Sequence, residues 1–556
     1  MAPKIYYGER YYAFPQMDML TFLFESQHAL SQPDTQLHID AANPSNYLTK
    51  STTISLTEQF AHAFRTRFGI GAAGPNHDVV VGFSSLQILL PVAFYGTVAA
   101  GGVFSAASHS FTPAELARQV TQGDAKLLIT SADLVEVAVE AAGICGLGLD
   151  RVLVLESDAG KWGMRSVDGS FGGWTEERLM WERVTDPVRL EESLIILLYS
   201  SGTTGAPKGV RLSHQNVVAS TYNPSQAARE WAFPRVMSGE IIPSPQRTIA
   251  HLPAAHIAGV SGYFISPVYS GTSLYWMRKY EWKKFLEYNK QHQITGFFSV
   301  PAIYARIAKS ADVTDQFASF EGGLGGAAPM DDFVQTGSQK KLADGSKSVG
   351  GTWGLSEATG SVTSLPRGLT DTTGSVGTIH PNMQLRLVDD DDQDVPEGQP
   401  GEAIIRGPTI TKGYHDNPEA TKEAFLDGWF RTGDILQQRN GLWYVTDRKK
   451  ELIKYKGLQV APAELEGLLL SHPFIEDAAV IGVPFEGTEA PRAYVVADRK
   501  KLSEEEVKQF IASKLSPHKQ LRGGVVYMEA IPRSTVGKIL RRELREAAKK
   551  ENKAKL

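Results

Sequence analysis

Between Leu198 and Val210 the chain places four hydroxyls (Ser200, Ser201, Thr203, Thr204), three glycines (Gly202, Gly205, Gly209) and Lys208 within ten residues. Glycines let backbone N–H groups close on a polyanion, and hydroxyls with a lysine add donors, so the chemistry is that of a phosphate cradle. It is not the P-loop pattern: Lys208 follows Gly205 by three residues and no Gly-Lys-Ser/Thr triplet occurs. The His-Arg-Asp and Asp-Phe-Gly set of a kinase is also missing. A flexible Ser/Gly linker is the alternative. Against it, the apolar run Leu194 to Leu198 reads as a buried strand feeding the loop, and Pro207-Lys208-Gly209-Val210 leads back into apolar sequence.

Further along, short polar motifs follow in order. They are His256 after Leu252-Pro253-Ala254-Ala255, then Gly325-Gly326-Ala327-Ala328-Pro329, and Thr352-Trp353-Gly354-Leu355-Ser356-Glu357. Next come Trp429-Phe430-Arg431-Thr432-Gly433-Asp434, then Asp447-Arg448 with Gly457, and finally Gly537-Lys538-Ile539-Leu540-Arg541. Each alone has a plain structural reading: Glu357 as a helix-start carboxylate, Asp434 as a turn cap, Arg448 as a surface charge. Lys538 could sit on a solvated helix, given the arginines behind it, and His256 could be a satisfied core histidine. Together and in this order, with the loop at Ser200, they resemble the adenylate-forming enzymes, a family that includes acyl-CoA ligases and beetle luciferases. The resemblance spans roughly Phe60 to Leu544. It is nearest to plant 4-coumarate–CoA ligases and similar peroxisomal ligases, whose sequence Leu452 to Glu466 nearly repeats.

The resemblance implies roles. Ser200 to Gly205 and Lys208 would hold the phosphates of ATP. Gly325 to Pro329, with Trp353, would line the adenine site, and Thr352, Gly354 and Leu355 would also bind the nucleotide. Ser356 would contact the α-phosphate, Glu357 would hold Mg²⁺, and Asp434 with Arg448 would bind the ribose. Lys538 would bridge the acyl carboxylate and the α-phosphate, with Lys454 and Gln459 also matching adenylation residues. His256 would gate an acyl pocket containing Ala258, Gly259, Gly262 and Gly351, although Ala255 stands where many relatives carry an aromatic. Lys456 and Gly457 would lie on the path of CoA. The implied activity is formation of acyl-AMP and pyrophosphate from a carboxylic acid and ATP, then of acyl-CoA and AMP. Transfer to a carrier-protein thiol or an amine is the enzymatic alternative, and a non-catalytic nucleotide binder is another. No carrier domain follows Lys538, which points to a small diffusible acceptor.

The physics suits those roles. A carboxylate attacking a polyanion meets repulsion of about 4 kcal/mol per unit pair at ~4 Å and an effective dielectric near 20. A lysine between the two converts that repulsion into attraction. The resulting mixed anhydride is open to a thiol.

These residues need elements to position them. Val79 to Phe83, Lys126 to Thr130 and Arg151 to Leu155 read as buried strands alternating with helices at Leu86 to Ala99 and Thr112 to Gln122, the pattern of parallel α/β layers. Thr112 reads as the N-cap of the second helix, with Pro113 at its first position. A helix opens at Ser213-His214, and residues 222–248 read as a Pro/Ser/Gly-rich loop. Thr295 to Val300 reads as a strand leading to a helix with Tyr304 and Arg306. The glycine runs at 322–329 and 350–357 read as corners. Ser375 to Tyr444 reads as a β-rich subdomain, with Asp389 to Asp392 as a solvated hairpin turn. The expected fold is α/β: a large N-terminal domain, 1–446, of layered α/β subdomains plus the β-rich one, and a small C-terminal α+β domain, 447–556. The resemblance makes the small domain mobile, with its hinge at Asp447.

At 556 residues the chain exceeds one core. A hydrophobic content of 42%, a charged content of 21% and a formal net charge of −5 give no reason to invoke nucleic acid. One cysteine, Cys145, excludes an internal disulfide and fits a reducing compartment. No signal peptide and no membrane-length apolar run is visible. The closing Ala554-Lys555-Leu556 is a relative of the Ser-Lys-Leu address and predicts an import receptor as partner and the peroxisome as location, with the cytoplasm otherwise.

Overall fold

Apolar β-branched runs flanked by helices must bury both faces, and in this protein they do so in a parallel sheet. A computed structural model describes residues 3–158, 161–172, 176–200, 207–328, 330, 332–345, 347–456, 458–534 and 538–554. Ser201, Gly202, Thr203, Thr204, Gly205, Pro329, Gly457, Gly537, Lys555 and Leu556 therefore lie outside the described residues. The strands are β1 (Val79–Phe83), β2 (Val103–Ala107), β3 (Ala125–Ser131), β4 (Val152–Asp158), β5 (Lys161–Ser166), β6 (Leu194–Ser200) and β7 (Lys208–Ser213). They form one sheet in the order β7-β6-β2-β1-β3-β4-β5, parallel from β6 to β4 and antiparallel at both edges. The first two crossovers are helices α1 (Leu90–Ala99) and α2 (Pro113–Gln122). Thr112 caps α2, and its hydroxyl and the Glu115 carboxylate close a capping box. Helix α1 starts later than Leu86 because Ser84 to Gln87 form a buried polar loop, in which the Gln87 amide donates to the Ser84 hydroxyl.

Two expectations are corrected. Residues 222–237 are not loop: α3 (His214–Met237) runs through Pro224 and Pro234. An interior proline costs about 3 kcal/mol, but Gln226-Ala227-Ala228-Arg229-Glu230 is strongly helix-forming, and Arg235 donates back to the Trp231 carbonyl. The glycine runs are strands rather than corners. β8 (Gly296–Ser299), β9 (Gly322–Gly325) and β10 (Val349–Leu355) pair in parallel, and β11 (Gly360–Ser364) adds antiparallel to β10. Glycine is required there by crowding: a Cβ on Gly323 would sit 2.7 Å from the Tyr304 hydroxyl and one on Gly296 2.5 Å from the Gly322 carbonyl oxygen.

The β-rich part is antiparallel: β12 (Gln384–Val388), β13 (Gly401–Arg406), β14 (Trp429–Arg439) and β15 (Leu442–Arg448) pair in sequence. The Asp389–Asp392 turn is not merely solvated: Asp392 pairs with Arg431 and Asp390 with Lys449. Beyond β15 lie a hairpin of β16 (Ile453–Tyr455) and β17 (Leu458–Val460), then helix α4 (Pro462–Leu470) and strands β18 (Asp477–Phe485) and β19 (Thr488–Val496). Helix α5 (Glu504–Ala512), capped by Ser503 and Glu506, strand β20 (Val525–Tyr527) and helix α6 (Arg541–Ala554) complete a small domain with its own apolar core. The molecule is a mixed α/β fold of a large N-terminal and a small C-terminal domain. No helix among the described residues is long and apolar enough to cross a membrane.

Candidate active site

Register alone brings the first pair together. Asp434 on β14 and Arg448 at the end of β15 are cross-strand partners, and the Arg448 Nε lies 3.0 Å from the Asp434 Oδ1. The other oxygen, Oδ2, accepts the indole N–H of Trp353 from β10 at 2.8 Å. One hydrogen bond, from Trp353, and the charge of Arg448 thus offset the burial of this carboxylate, while its Oδ1 accepts no hydrogen bond among the described residues. Trp353, Asp434 and Arg448 line a cavity of ≈120 Å³ together with Ala327, Ala328, Thr352 and Gly354.

Lys538 lines the same cavity. Two main-chain bonds hold the residues around it: Ser534 N–H to the Lys538 carbonyl at 2.7 Å and Leu540 N–H to the Pro532 carbonyl at 2.8 Å. Its own N–H donates to the Ser534 hydroxyl. Burial, then the neighbouring Arg448 charge, draws the Lys538 ammonium down to a pKa of about 8. His256 caps a short turn, its Nδ1 accepting the Ala258 N–H at 3.2 Å. Burial and the Lys538 charge lower it to about 4, so it is neutral at physiological pH.

Behind Lys538 lies the arginine that closes its motif. The Arg541 side chain is only 10% exposed, lies 2.7 Å from both Glu451 and Glu466, and donates to the Val480 carbonyl. A doubly paired arginine at the head of α6 anchors the loop that carries Lys538. Its signal was present in the Gly-Lys-Ile-Leu-Arg motif, but its partners are remote in sequence.

Glu357, in the turn after β10, is buried, and desolvation raises its carboxyl above the ordinary range. The Ser200 and Tyr414 hydroxyls donate to its Oε1 at 3.3 and 3.1 Å. Lys208 lies over the Tyr414 ring, 5.0 Å from its centroid. Tyr414 escaped the sequence reading because nothing local in Thr411-Lys412-Gly413-Tyr414 marks it. Ser356 is half-buried beside Glu357, Leu355 packs on the β-rich core, and Gly326 is held by crowding against Thr352 and Phe298.

The four residues assigned to the acyl pocket with His256 differ. A Cβ on Gly262 would meet nothing within 4 Å, so that position borders open space. Gly259 and Gly351 do not: a Cβ would lie 2.4 Å from the Pro253 carbonyl oxygen and 2.0 Å from that of Ser375. Both serve close backbone packing. Ala258 is half-buried on the short turn capped by His256.

Lys454 and Gln459 are not brought to the cavity. They are cross-strand partners on the β16–β17 hairpin, both exposed, as is Lys456 in a left-handed conformation (φ 47°). Asp447 is buried one residue before Arg448. Its carboxylate accepts the N–H groups of Arg448 (2.6 Å) and Ala463 (3.3 Å), and burial raises its pKa to about 7.

A profile of the AMP-binding enzyme family matches residues 26–415, and that of the AMP-binding enzyme C-terminal domain matches 464–538. The chain is 45% identical to a protein of Emericella nidulans named as an acyl-coenzyme A synthetase, over 98% of both chains. It is 32% identical to 4-coumarate–CoA ligase-like 6 of Arabidopsis thaliana, over 96% of this chain and 90% of that protein. Among solved structures it is similar to ATP-bound MatB from Rhodopseudomonas palustris: TM-score 0.80, 25% identity, covering 96% of this chain and 99% of that one.

Proposed function

The chain belongs to the AMP-binding enzyme family, and from that premise we propose that it is an ATP-dependent acid–thiol ligase, joining a carboxylic acid to CoA through an acyl-AMP intermediate. The observation that carries this reading is the convergence of Trp353, Asp434, Arg448 and Lys538 on one cavity. A carboxylate-paired arginine beside an aromatic ring suits a nucleoside, with Asp434 and Arg448 toward the ribose hydroxyls and Ala327, Ala328 and Trp353 toward the base. Lys538 supplies the positive charge that draws the acid's carboxylate to the α-phosphate, and neutral His256 stands at the acyl side without adding charge. Lys208 and Ser200, with Ser201 to Gly205, are assigned to the phosphates, and Ser356 to the α-phosphate.

Glu357 fits Mg²⁺. That ion keeps several waters and binds through one or two carboxylates plus substrate phosphates, and Glu357 is a single carboxylate among hydroxyls. When bound, Mg²⁺ lowers the cost of pyrophosphate departure.

Asp447 is assigned as the hinge between domains 1–446 and 447–556, about which the small domain turns between half-reactions, with Lys454 and Gln459 assigned to adenylation and Lys456 and Gly457 to the thiol path. The C-terminal Ala554-Lys555-Leu556 is assigned as a peroxisomal address; masking Leu556 with added residues is expected to leave the protein cytosolic and fully active, and unchanged punctate localisation contradicts it. The test of the reaction is pyrophosphate release across a panel of acids, followed by CoA-dependent thioester formation. Release without acid, or a second product without CoA, contradicts the proposal.

A further inference from the structure

The backbone around Tyr414 is built to place one aromatic ring between a cation and a carboxylate. The segment Gly413 to His415 pairs with the start of β7: Arg211 N–H donates to the Gly413 carbonyl, His415 N–H to the Gly209 carbonyl, and Val210 bridges Tyr414. This fixes Tyr414 beside Lys208. From the other side Thr411 N–H donates to the Glu357 carbonyl and the Thr411 hydroxyl to the Arg211 carbonyl, tying Glu357 to the same strand. The Tyr414 N–H is itself held by the Thr421 hydroxyl at 3.0 Å. The ring that results carries Lys208 on its face and offers its hydroxyl to the Glu357 Oε1. Among the described residues Lys208 forms no ion pair.

We infer that Tyr414 is a positioning residue that keeps Lys208 and Glu357 apart, so that the cation stays available to a triphosphate and the carboxylate to the triphosphate's counter-ion. A lysine is a point charge on a flexible four-carbon stem, and the buried Glu357 carboxylate at the far end of the same tyrosine is the partner it would find. The ring face satisfies the ammonium weakly, by cation–π attraction, and the phenol satisfies the carboxylate by a hydrogen bond. Each charge is held in place by a group that a stronger ligand displaces. The inference rests on the reading of this site as a nucleotide site.

The test is calorimetric binding of ATP to the purified chain, without acid and with the metal chelated, so that turnover plays no part. Tyr414→Leu frees Lys208 to pair with Glu357, and ATP is expected to bind about tenfold more weakly. Adding Glu357→Gln removes that partner, and binding is expected to return to within about threefold of wild type. Tyr414→Phe keeps the ring and is expected to stay within about threefold. Wild-type affinity in Tyr414→Leu, no recovery in the double variant, or a tenfold loss in Tyr414→Phe would each overturn the spacer role. Should Tyr414→Leu fold poorly by circular dichroism, Tyr414→Phe still decides between ring and hydroxyl. Failure of the wild type to bind ATP would overturn the nucleotide reading, and this inference with it.

Discussion

Two lysines of the small domain meet opposite environments. Lys538 is half-buried beside Arg448, with its pKa drawn to about 8, on a loop braced by Arg541 and two buried glutamates. Lys454 is exposed on a hairpin, where its main chain bonds the Glu489 and Thr488 side chains. The resemblance gave both to adenylation, yet only one reaches the cavity. The difference teaches that the small domain offers one face to the nucleotide residues while its hairpin faces solvent. In the reaction proposed above, acid activation uses the first arrangement, and a thiol path along Lys456 and Gly457 would use another.

That contrast can be broken where it is strongest. Arg541→Met strands Glu451 and Glu466 as unpaired buried carboxylates, and chemical denaturation is expected to show a loss of about 3–5 kcal/mol. Lys456→Ala, which gives up an exposed pair with Glu486 at 3.4 Å and a contact over the Tyr455 ring, is expected to cost less than about 1 kcal/mol. Comparable losses would erase the distinction between the two faces.

The pH profile sharpens it next. Lys538 must be protonated to draw two anions together, and its pKa lies below the ordinary 10.5. Acyl-AMP formation is therefore expected to be level below pH about 8 and to fall as pH rises through it, approaching tenfold per unit. Thioester formation from supplied acyl-AMP is expected to lack this alkaline fall. A shared fall in both half-reactions contradicts the separation.

Smaller effects distinguish the glycines. Gly262→Leu is expected to shift preference to shorter acids by ~1–3 kcal/mol in the kcat/KM ratio, because its Cβ enters open space. Gly259→Leu is expected to lower Tm instead, since its Cβ meets the Pro253 carbonyl. A ratio within about twofold for Gly262→Leu would place that residue outside the pocket.

How much of this was legible follows from the range of the interactions. The strands at Val79, Lys126 and Arg151, the cap at Thr112 and the helix start at Ser213 are local in origin, and the structure has them. The Asp434–Arg448 pair was named from motif order, and strand register completes it. Glycines at 322–325 read as corners because their reason, crowding from Tyr304 and Phe320, lies in other elements. Helix α3 crosses two prolines because the intervening residues are strong helix formers. Tyr414 and Glu466 were invisible for a similar reason: each acts through a partner that only the fold brings near.

The central claim is that Lys538 serves the first half-reaction from the position in which the structure holds it. Single-turnover assays of Lys538→Ala test it most directly. Acyl-AMP formation is expected to slow by at least ~10²-fold, the loss seen when one preorganised donor to a developing charge is removed, while thioester formation from supplied acyl-AMP stays within about threefold. Equal slowing of both steps would contradict the account.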